Sequence, residues 1–253
     1  ILRISGYPKL NFTRKFLWKF CSKKIHIVTC PSKELREQLN NSKIFDEKKI
    51  IVLYDSVINI QEVNNKKKIP LEKSLSKIKY FLAIGRLTKQ KNFNLLIDGF
   101  NEFNKENKKY KLLIIGEGED RDKLKKKIDK LKLNDQINLL GFKDNIYKYL
   151  KNSQAFILSS LWEEMGFVII EAASCNTTII SSACPNGPTE FLNKGDGGYL
   201  FKNNSIRDLV KKMKKFDSDN EITKYNKILS TKKNVKNFTI FNHYKVLNTI
   251  LNY

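Results

Sequence analysis

Cysteine and histidine are scarce in this chain. Four cysteines (Cys21, Cys30, Cys175, Cys184), spaced by nine, 145 and nine residues, and two histidines occur among 253 residues, with no Cys-x-x-Cys pair. Neither a structural zinc site nor a disulfide framework is expected, and the thiols read as reduced ones of a cytoplasmic protein. Long apolar runs are missing too. Phe81–Ile84, Leu112–Ile115 and Phe156–Leu158 are strand-sized, against the roughly 18 residues of a membrane-spanning helix. An integral membrane protein is not expected. The opening residues show no basic-then-apolar-then-small leader pattern, and with Ile1 first the chain reads as a piece of something longer.

Acidic residues are few against the basic ones: 26 Asp and Glu face 48 Lys and Arg, a formal charge of +22. Such a field draws anions, so nucleic acid, an anionic membrane surface and phosphorylated small molecules are all admissible partners. The lysines cluster at 66–68, 125–127 and 211–215 without interleaved aromatics for base stacking. A general lysine bias accounts for them, and nucleic acid is not expected as a partner. With 41 % hydrophobic and 29 % charged residues the chain has ordinary globular usage and should fold.

The first 33 residues hold eight basic residues and no acidic one, with Phe12, Phe16, Leu17, Trp18 and Phe20 among them. That pattern suits a helix lying on a membrane surface or another domain, and equally an amphipathic helix on its own core. Ile25–Cys30 and Ile50–Leu53 read as strands, with Ser32 capping a helix between them. Residues 59–77 are polar, rich in Lys and Asn and contain Pro70, which marks a linker and places the domain boundary near residue 70. Beyond it, strands at Tyr80–Ile84, Lys111–Ile115, Ile137–Leu140, Ala155–Leu158 and Thr178–Ser181 alternate with helices at Asn92–Asn104, about Leu124–Leu131, Asn145–Leu150 and Phe167–Ser174. Alternation of this kind predicts an α/β fold with a doubly wound parallel sheet, whose ligands sit beyond the carboxyl ends of the strands.

The loops at those ends carry the chemistry. After the first strand, Gly85 permits a sharp turn, and Arg86 and Lys91 can converge on one anion such as a diphosphate. Gly116-Glu117-Gly118 lacks the third glycine of a dinucleotide fingerprint and reads as a tight turn. The segment from Ser159 to Ala172 runs from a strand into a helix. If the helix starts near Gly166, the free N–H groups of Gly166, Phe167 and Val168 point at the ligand crevice and favour phosphate oxygens. Glu163 or Glu164 before the helix and Glu171 in its second turn can flank that anion, and a carboxylate accepts both hydroxyls of a vicinal diol. Cys184-Pro185-Asn186-Gly187-Pro188-Thr189-Glu190 either closes a sugar pocket or is simply a turn.

In this order, the motifs over residues 78 to 250 resemble the retaining glycosyltransferases of the GT-B fold, family four, also called group 1. The carriers are Gly85-Arg86-Leu87 with Lys91, Leu113–Gly118, Gly141-Phe142, the stretch from Ser160-Leu161-Trp162-Glu163 to Glu171-Ala172, and Cys184–Glu190. The resemblance implies that residues 71–253 are a Rossmann-like donor-binding domain and that residues 1–70 are the tail of an acceptor domain plus linker, an incomplete α/β segment. It implies that Arg86 and Lys91 hold a diphosphate, that Glu163 faces the donor sugar, that Glu171 binds the ribose, and that Gly141 and Phe142 border the nucleobase. Gly85, Gly116, Gly166, Phe167 and Val168 complete the donor site. No cofactor and no metal are implied, since cationic side chains stand in for the ion. The implied activity is transfer of a hexose or N-acetylhexosamine with retention, a UDP-sugar being favoured over a GDP-sugar, to a glycan or lipid-linked acceptor in polysaccharide or glycoconjugate synthesis. The implied location is the cytoplasm, including the inner membrane face. Two departures stand out: Asn92 replaces the family's usual glycine, and Glu164-Met165 replace its commoner Gly-Phe. Activity of this stretch alone is left open, as are two rivals, a noncatalytic nucleotide-binding or membrane-docking module and a sugar-nucleotide epimerase.

Overall fold

Residues 1–8 and 11–252 are described in a computed structural model. Their contacts form two units, residues 1–57 with the C-terminal stretch from 237, and residues 58–236. The first unit runs β1 (Leu2–Arg3), α1 (Phe12–Ser22), β2 (Val28–Cys30), α2 (Lys33–Ser42) and β3 (Ile50–Val52). Its three strands are parallel in the order β1-β2-β3. Ser32 caps α2 as expected, its Oγ accepting from the Leu35 amide at 3.1 Å. Leu35 and Leu39 then fall four apart on one face and pack with Val28, Cys30 and Ile50. No residue of α1 is buried. Trp18 leans on this core with its ring 5.9 Å from that of Phe45, while Phe12, Phe16, Leu17 and Phe20 are exposed. Packing on a core therefore describes Trp18 alone.

The second unit runs α3 (Ile60–Lys66), β4 (Lys79–Ile84), α4 (Phe93–Glu106), β5 (Tyr110–Ile115), α5 (Arg121–Lys130), β6 (Ile137–Leu139), α6 (Tyr147–Asn152), β7 (Ala155–Leu158), α7 (Phe167–Ser174), β8 (Ile179–Ser182), α8 (Pro188–Phe191), β9 (Tyr199–Phe201), α9 (Ile206–Ser218) and α10 (Glu221–Val235). The six strands are all parallel, in the order β6-β5-β4-β7-β8-β9. Beginning at β4, the chain adds strands first on one side and then on the other, so the sheet reverses between β4 and β7. This is the doubly wound arrangement, with its ligand crevice at the reversal. The central strands are apolar on both faces, Phe81–Ile84 and Leu112–Ile115 being buried throughout, as a sheet covered by helices on both faces requires. Phe81 stacks with Phe103, Tyr110 and Phe216 at 4.6–5.7 Å between ring centres, tying β4 to α4, β5 and α9. Gly99 lets α4 and α9 approach, since a Cβ there would lie 2.6 Å from Leu209 Cδ2.

The contacts place the boundary at residue 57 rather than near residue 70. The stretch 59–77 has linker composition, yet it is fixed by specific polar bonds. Asn59 caps α3, its Oδ1 accepting from Gln61 N and Glu62 N at 3.1 and 3.2 Å, and Val63 is buried. Glu72 accepts from Tyr149 Oη at 2.7 Å and Lys148 Nζ at 3.0 Å. The last helix, α11 (Ile240–Leu251), groups with the first unit and not with the donor-domain stretch in which the sequence places it. There His243 Nδ1 lies 2.6 Å from the Tyr54 carbonyl oxygen, and Tyr54 packs on Phe238. Strand β9, three residues long, shows no alternation that would mark it.

Candidate functional site

The loops after β4 and β7 meet at the point where the sheet reverses. After β4, Gly85 leads through Arg86 and Leu87 into a single 3₁₀ turn at Lys89–Lys91. After β7, Ser159 to Gly166 leads into α7. The turn is held on the second loop by four bonds. Leu161 N donates to Gln90 O at 2.8 Å, Gln90 Nε2 to Trp162 O at 2.9 Å, Ser159 Oγ to Lys91 O at 2.7 Å, and Lys91 Nζ to Glu163 Oε1 at 2.5 Å. The last is an ion pair whose side chains are only 15 % and 7 % exposed. Ser160 Oγ donates to the same carboxylate oxygen at 2.5 Å, so a cation and a hydroxyl together compensate a buried charge.

Glu163 is buried, its neighbour Glu164 exposed, so the structure turns the first carboxylate of the pair toward Lys91. Glu163 N donates to Pro185 O at 3.1 Å, and Ser182 Oγ to Ser160 O at 2.7 Å, which joins the loop after β8 to the same cluster. Cys184 in that loop is buried. Burial pushes its thiol up to about 11, with smaller influences from Glu163 and Lys91. It is a neutral packing group at physiological pH.

Three of the expected glycines come together at the ends of β4, β5 and β6. Gly116 N donates to Gly141 O at 2.9 Å, and a Cβ on Gly116 would lie 2.0 Å from the Gly85 carbonyl oxygen. Only glycine lets those chains cross so closely, and the tight turn expected at Gly116-Glu117-Gly118 serves that crossing. Gly85 lies against the methylenes of Lys91, 3.3 Å from the position of its absent Cβ. Gly166, at φ +74°, starts α7 without a side-chain cap and lies beside the Glu163 side chain. The amides of Phe167 and Val168 follow at the positive end of the helix. Phe167 and Phe142 are exposed. Arg86 is exposed, and its guanidinium has no hydrogen bond or ion pair among the described residues.

Glu171 lies one turn further along α7, in a different environment. Its Oε1 accepts from Tyr147 Oη at 3.3 Å. Burial pushes its carboxyl up to about 7, against the opposing influence of the Tyr147 hydroxyl and the charge of Lys66. The two glutamates thus differ: Glu163 is an ion-pair member, Glu171 a carboxyl raised by burial to about 7 beside a buried phenol. Gln90 and Tyr147 carry no pattern by which the sequence could have singled out their roles, since their side-chain partners Trp162 and Glu171 lie 72 and 24 positions away. Ser160 stands inside the Ser160–Glu163 motif stretch, three residues before the carboxylate it meets. Among the described residues no group of three or more His, Cys, Asp or Glu is placed to hold a metal ion.

This arrangement can be set beside known proteins. The chain is 34 % identical over 181 residues to an uncharacterized glycosyltransferase of Methanocaldococcus jannaschii, an alignment of 69 % of this chain and 44 % of that one. It is 29 % identical over 221 residues to the N-acetylgalactosamine-N,N'-diacetylbacillosaminyl-diphospho-undecaprenol 4-alpha-N-acetylgalactosaminyltransferase of Campylobacter jejuni, covering 86 % of this chain and 59 % of that one. The chain therefore spans about half the length of these curated relatives. Its fold is shared with the crystal structure of Anabaena HepE in complex with UDP and glucose, with TM-score 0.81 and 15 % identity over 99 % of this chain and 71 % of that one. The sequence profile described as glycosyl transferases group 1 matches residues 64–235, a span that contains both loops of the reversal point and both glutamates, and by that match this chain belongs to the group 1 glycosyltransferase family.

Proposed function

We propose that residues 58–236 bind the donor of a retaining glycosyltransferase, a nucleotide sugar with UDP favoured, and that the whole protein moves its hexose or N-acetylhexosamine to a glycan or lipid-linked acceptor. The observation that carries the reading is the Lys91–Glu163 ion pair at the reversal point of the sheet. A buried lysine at that place is a ready partner for a diphosphate, and a carboxylate beside it is a ready acceptor for sugar hydroxyls. The HepE structure that shares the fold is a complex with UDP and glucose.

In this reading the bond between the anomeric carbon and the diphosphate oxygen breaks, and the electron pair leaves with the diphosphate. Arg86, Lys91 and the amides at the start of α7 stabilise the charge that accumulates there. The acceptor hydroxyl oxygen bonds to the anomeric carbon on the same face and gives its proton to the departing diphosphate. Side-chain cations do the work for which other transferases use a metal ion. Calorimetric titration with UDP, GDP and ADP tests the proposal on this chain, the expected result being binding of UDP in preference to the other two. Absence of binding by all three would end the donor reading.

The exposed Phe12, Phe16, Leu17 and Phe20 of α1, beside Arg14, Lys15 and Lys19, favour a second role in which this helix lies on an anionic membrane surface. Among the described residues no helix is long and apolar enough to cross a membrane. Sedimentation with phosphatidylglycerol vesicles, weakening as salt rises, is the expected result, and equal sedimentation with neutral vesicles would count against it.

A further inference from the structure

We infer that Tyr147 is a positioning residue for Glu171, fixing one carboxylate oxygen so that the group as a whole can accept the two hydroxyls of a ribose diol. The inference rests on the donor reading above and extends it to a residue outside the family motifs quoted for the site.

Tyr147 is buried, with 9 % of its surface exposed, and the backbone that carries its ring is held at both its amide and its carbonyl. Its backbone amide donates to Asn145 Oδ1 at 3.1 Å, and Asn145 Nδ2 donates in turn to the Lys66 carbonyl at 3.0 Å, which ties the start of α6 to the end of α3. Cys175 Sγ donates to the Tyr147 carbonyl at 3.8 Å, which ties α6 to α7. Lys66 Nζ stands 6.0 Å from the centre of the phenol ring and is itself paired with Glu62 at 2.6 Å. A ring fixed in this way has little choice of direction for its hydroxyl, and a buried tyrosine hydroxyl ordinarily finds one partner. That partner is Glu171 Oε1 at 3.3 Å, longer than a fully formed O–H···O bond. An ionised carboxylate has about four acceptor positions. One taken by Tyr147 leaves enough for both ribose hydroxyls while stopping rotation of the group. Lys66 adds a cation on the same side, so the ionised form that the ligand needs is favoured from α3 and α6 together.

The test compares two ligands on the full chain by calorimetry, UDP and its 2',3'-dideoxy analogue, which keeps the base and the diphosphate. Tyr147→Phe removes one hydroxyl and keeps the ring, and a thermal melt checks that the fold is retained. The expected result is a loss of UDP affinity of about three- to tenfold, the usual worth of one hydrogen bond, with dideoxy-UDP affinity unchanged. In a Glu171→Ala background the same substitution should then cost nothing, since the partner it acts through is gone. Equal UDP affinity for Tyr147→Phe and the parent overturns the inference and leaves the donor reading standing. Equal losses for both ligands overturn it as well, because they mark a structural disturbance. Absence of UDP binding by the parent chain removes the donor reading and the inference with it.

Discussion

Lys91 Nζ and Glu163 Oε1 lie 2.5 Å apart, although the two residues are 72 positions apart along the chain. The contact closes the reversal point of the sheet, and four expectations follow from it and from its surroundings.

Removing one member of a nearly buried ion pair strands the other, at a cost of about 3–5 kcal/mol. Lys91→Ala should therefore lower the unfolding free energy by about 3 kcal/mol, part of which remains with Ser160 to support Glu163. The double substitution Lys91→Met with Glu163→Leu should recover most of the loss. Urea melts of the three proteins check this, and a double variant no more stable than Lys91→Ala contradicts it.

Arg86 presents the opposite case. Its guanidinium is exposed and has no partner among the described residues, so Arg86→Ala should leave stability within about 0.5 kcal/mol. In the proposed reaction the same change should lower UDP affinity at least about tenfold, since a charge-assisted contact to phosphate is worth about 1.5–3 kcal/mol. A melt and a titration on one preparation separate the two effects.

Glu171 should show itself through pH. Its carboxyl is pushed up to about 7 from an ordinary 4.5, chiefly by burial. A carboxyl raised on folding contributes stability that is fully present below pH 4.5 and is lost as pH rises through about 7. The parent should thus lose stability relative to Glu171→Gln across that interval. The diol-accepting form is the carboxylate, so UDP affinity should rise over the same interval and flatten in Glu171→Gln. Melts and titrations at pH 5, 6, 7 and 8 would read both, and parallel profiles for the two proteins would refute the assignment.

Gly116→Ala should be among the most damaging single changes. The added carbon would stand 2.0 Å from the Gly85 carbonyl oxygen, a backbone atom, at a residue with φ +141°. Backbone strain of this kind costs about 1–3 kcal/mol before the steric overlap is counted, so a loss of at least about 2 kcal/mol is expected by urea denaturation.

Much of the second unit was legible because its strands and helices obey simple periods. Ala155–Leu158 and Phe167–Ser174 occur with the bounds that pattern and turn residues suggest. Glycines at strand ends pointed to tight turns after β4 and β5, but not to the close crossing that brings Gly85, Gly116 and Gly141 together. The polar contacts were not legible. Nothing in the sequence near Gln90 or Ser159 announces that they meet Trp162 and Lys91, because such bonds join residues far apart and leave no period behind. Residues 59–77 misled for a related reason. Their Lys and Asn composition is that of a solvated linker, while Asn59 and Glu72 use the same polar groups to fasten the segment to helices. Glu163 and Glu164 are equivalent by composition; motif spacing favoured Glu163, and in the structure Glu163 is the buried one and Glu164 the exposed one.

The bonds that fasten the 89–91 turn to the loop after β7 have a thermodynamic consequence. A lysine that must be immobilised when a ligand arrives gives up rotamer freedom worth about 0.5–1.5 kcal/mol. Here Lys91 surrenders that entropy as the chain folds, so in the proposed donor complex the diphosphate would meet an ammonium already at rest. On that reading the incoming phosphate would replace Glu163 beside a stationary cation.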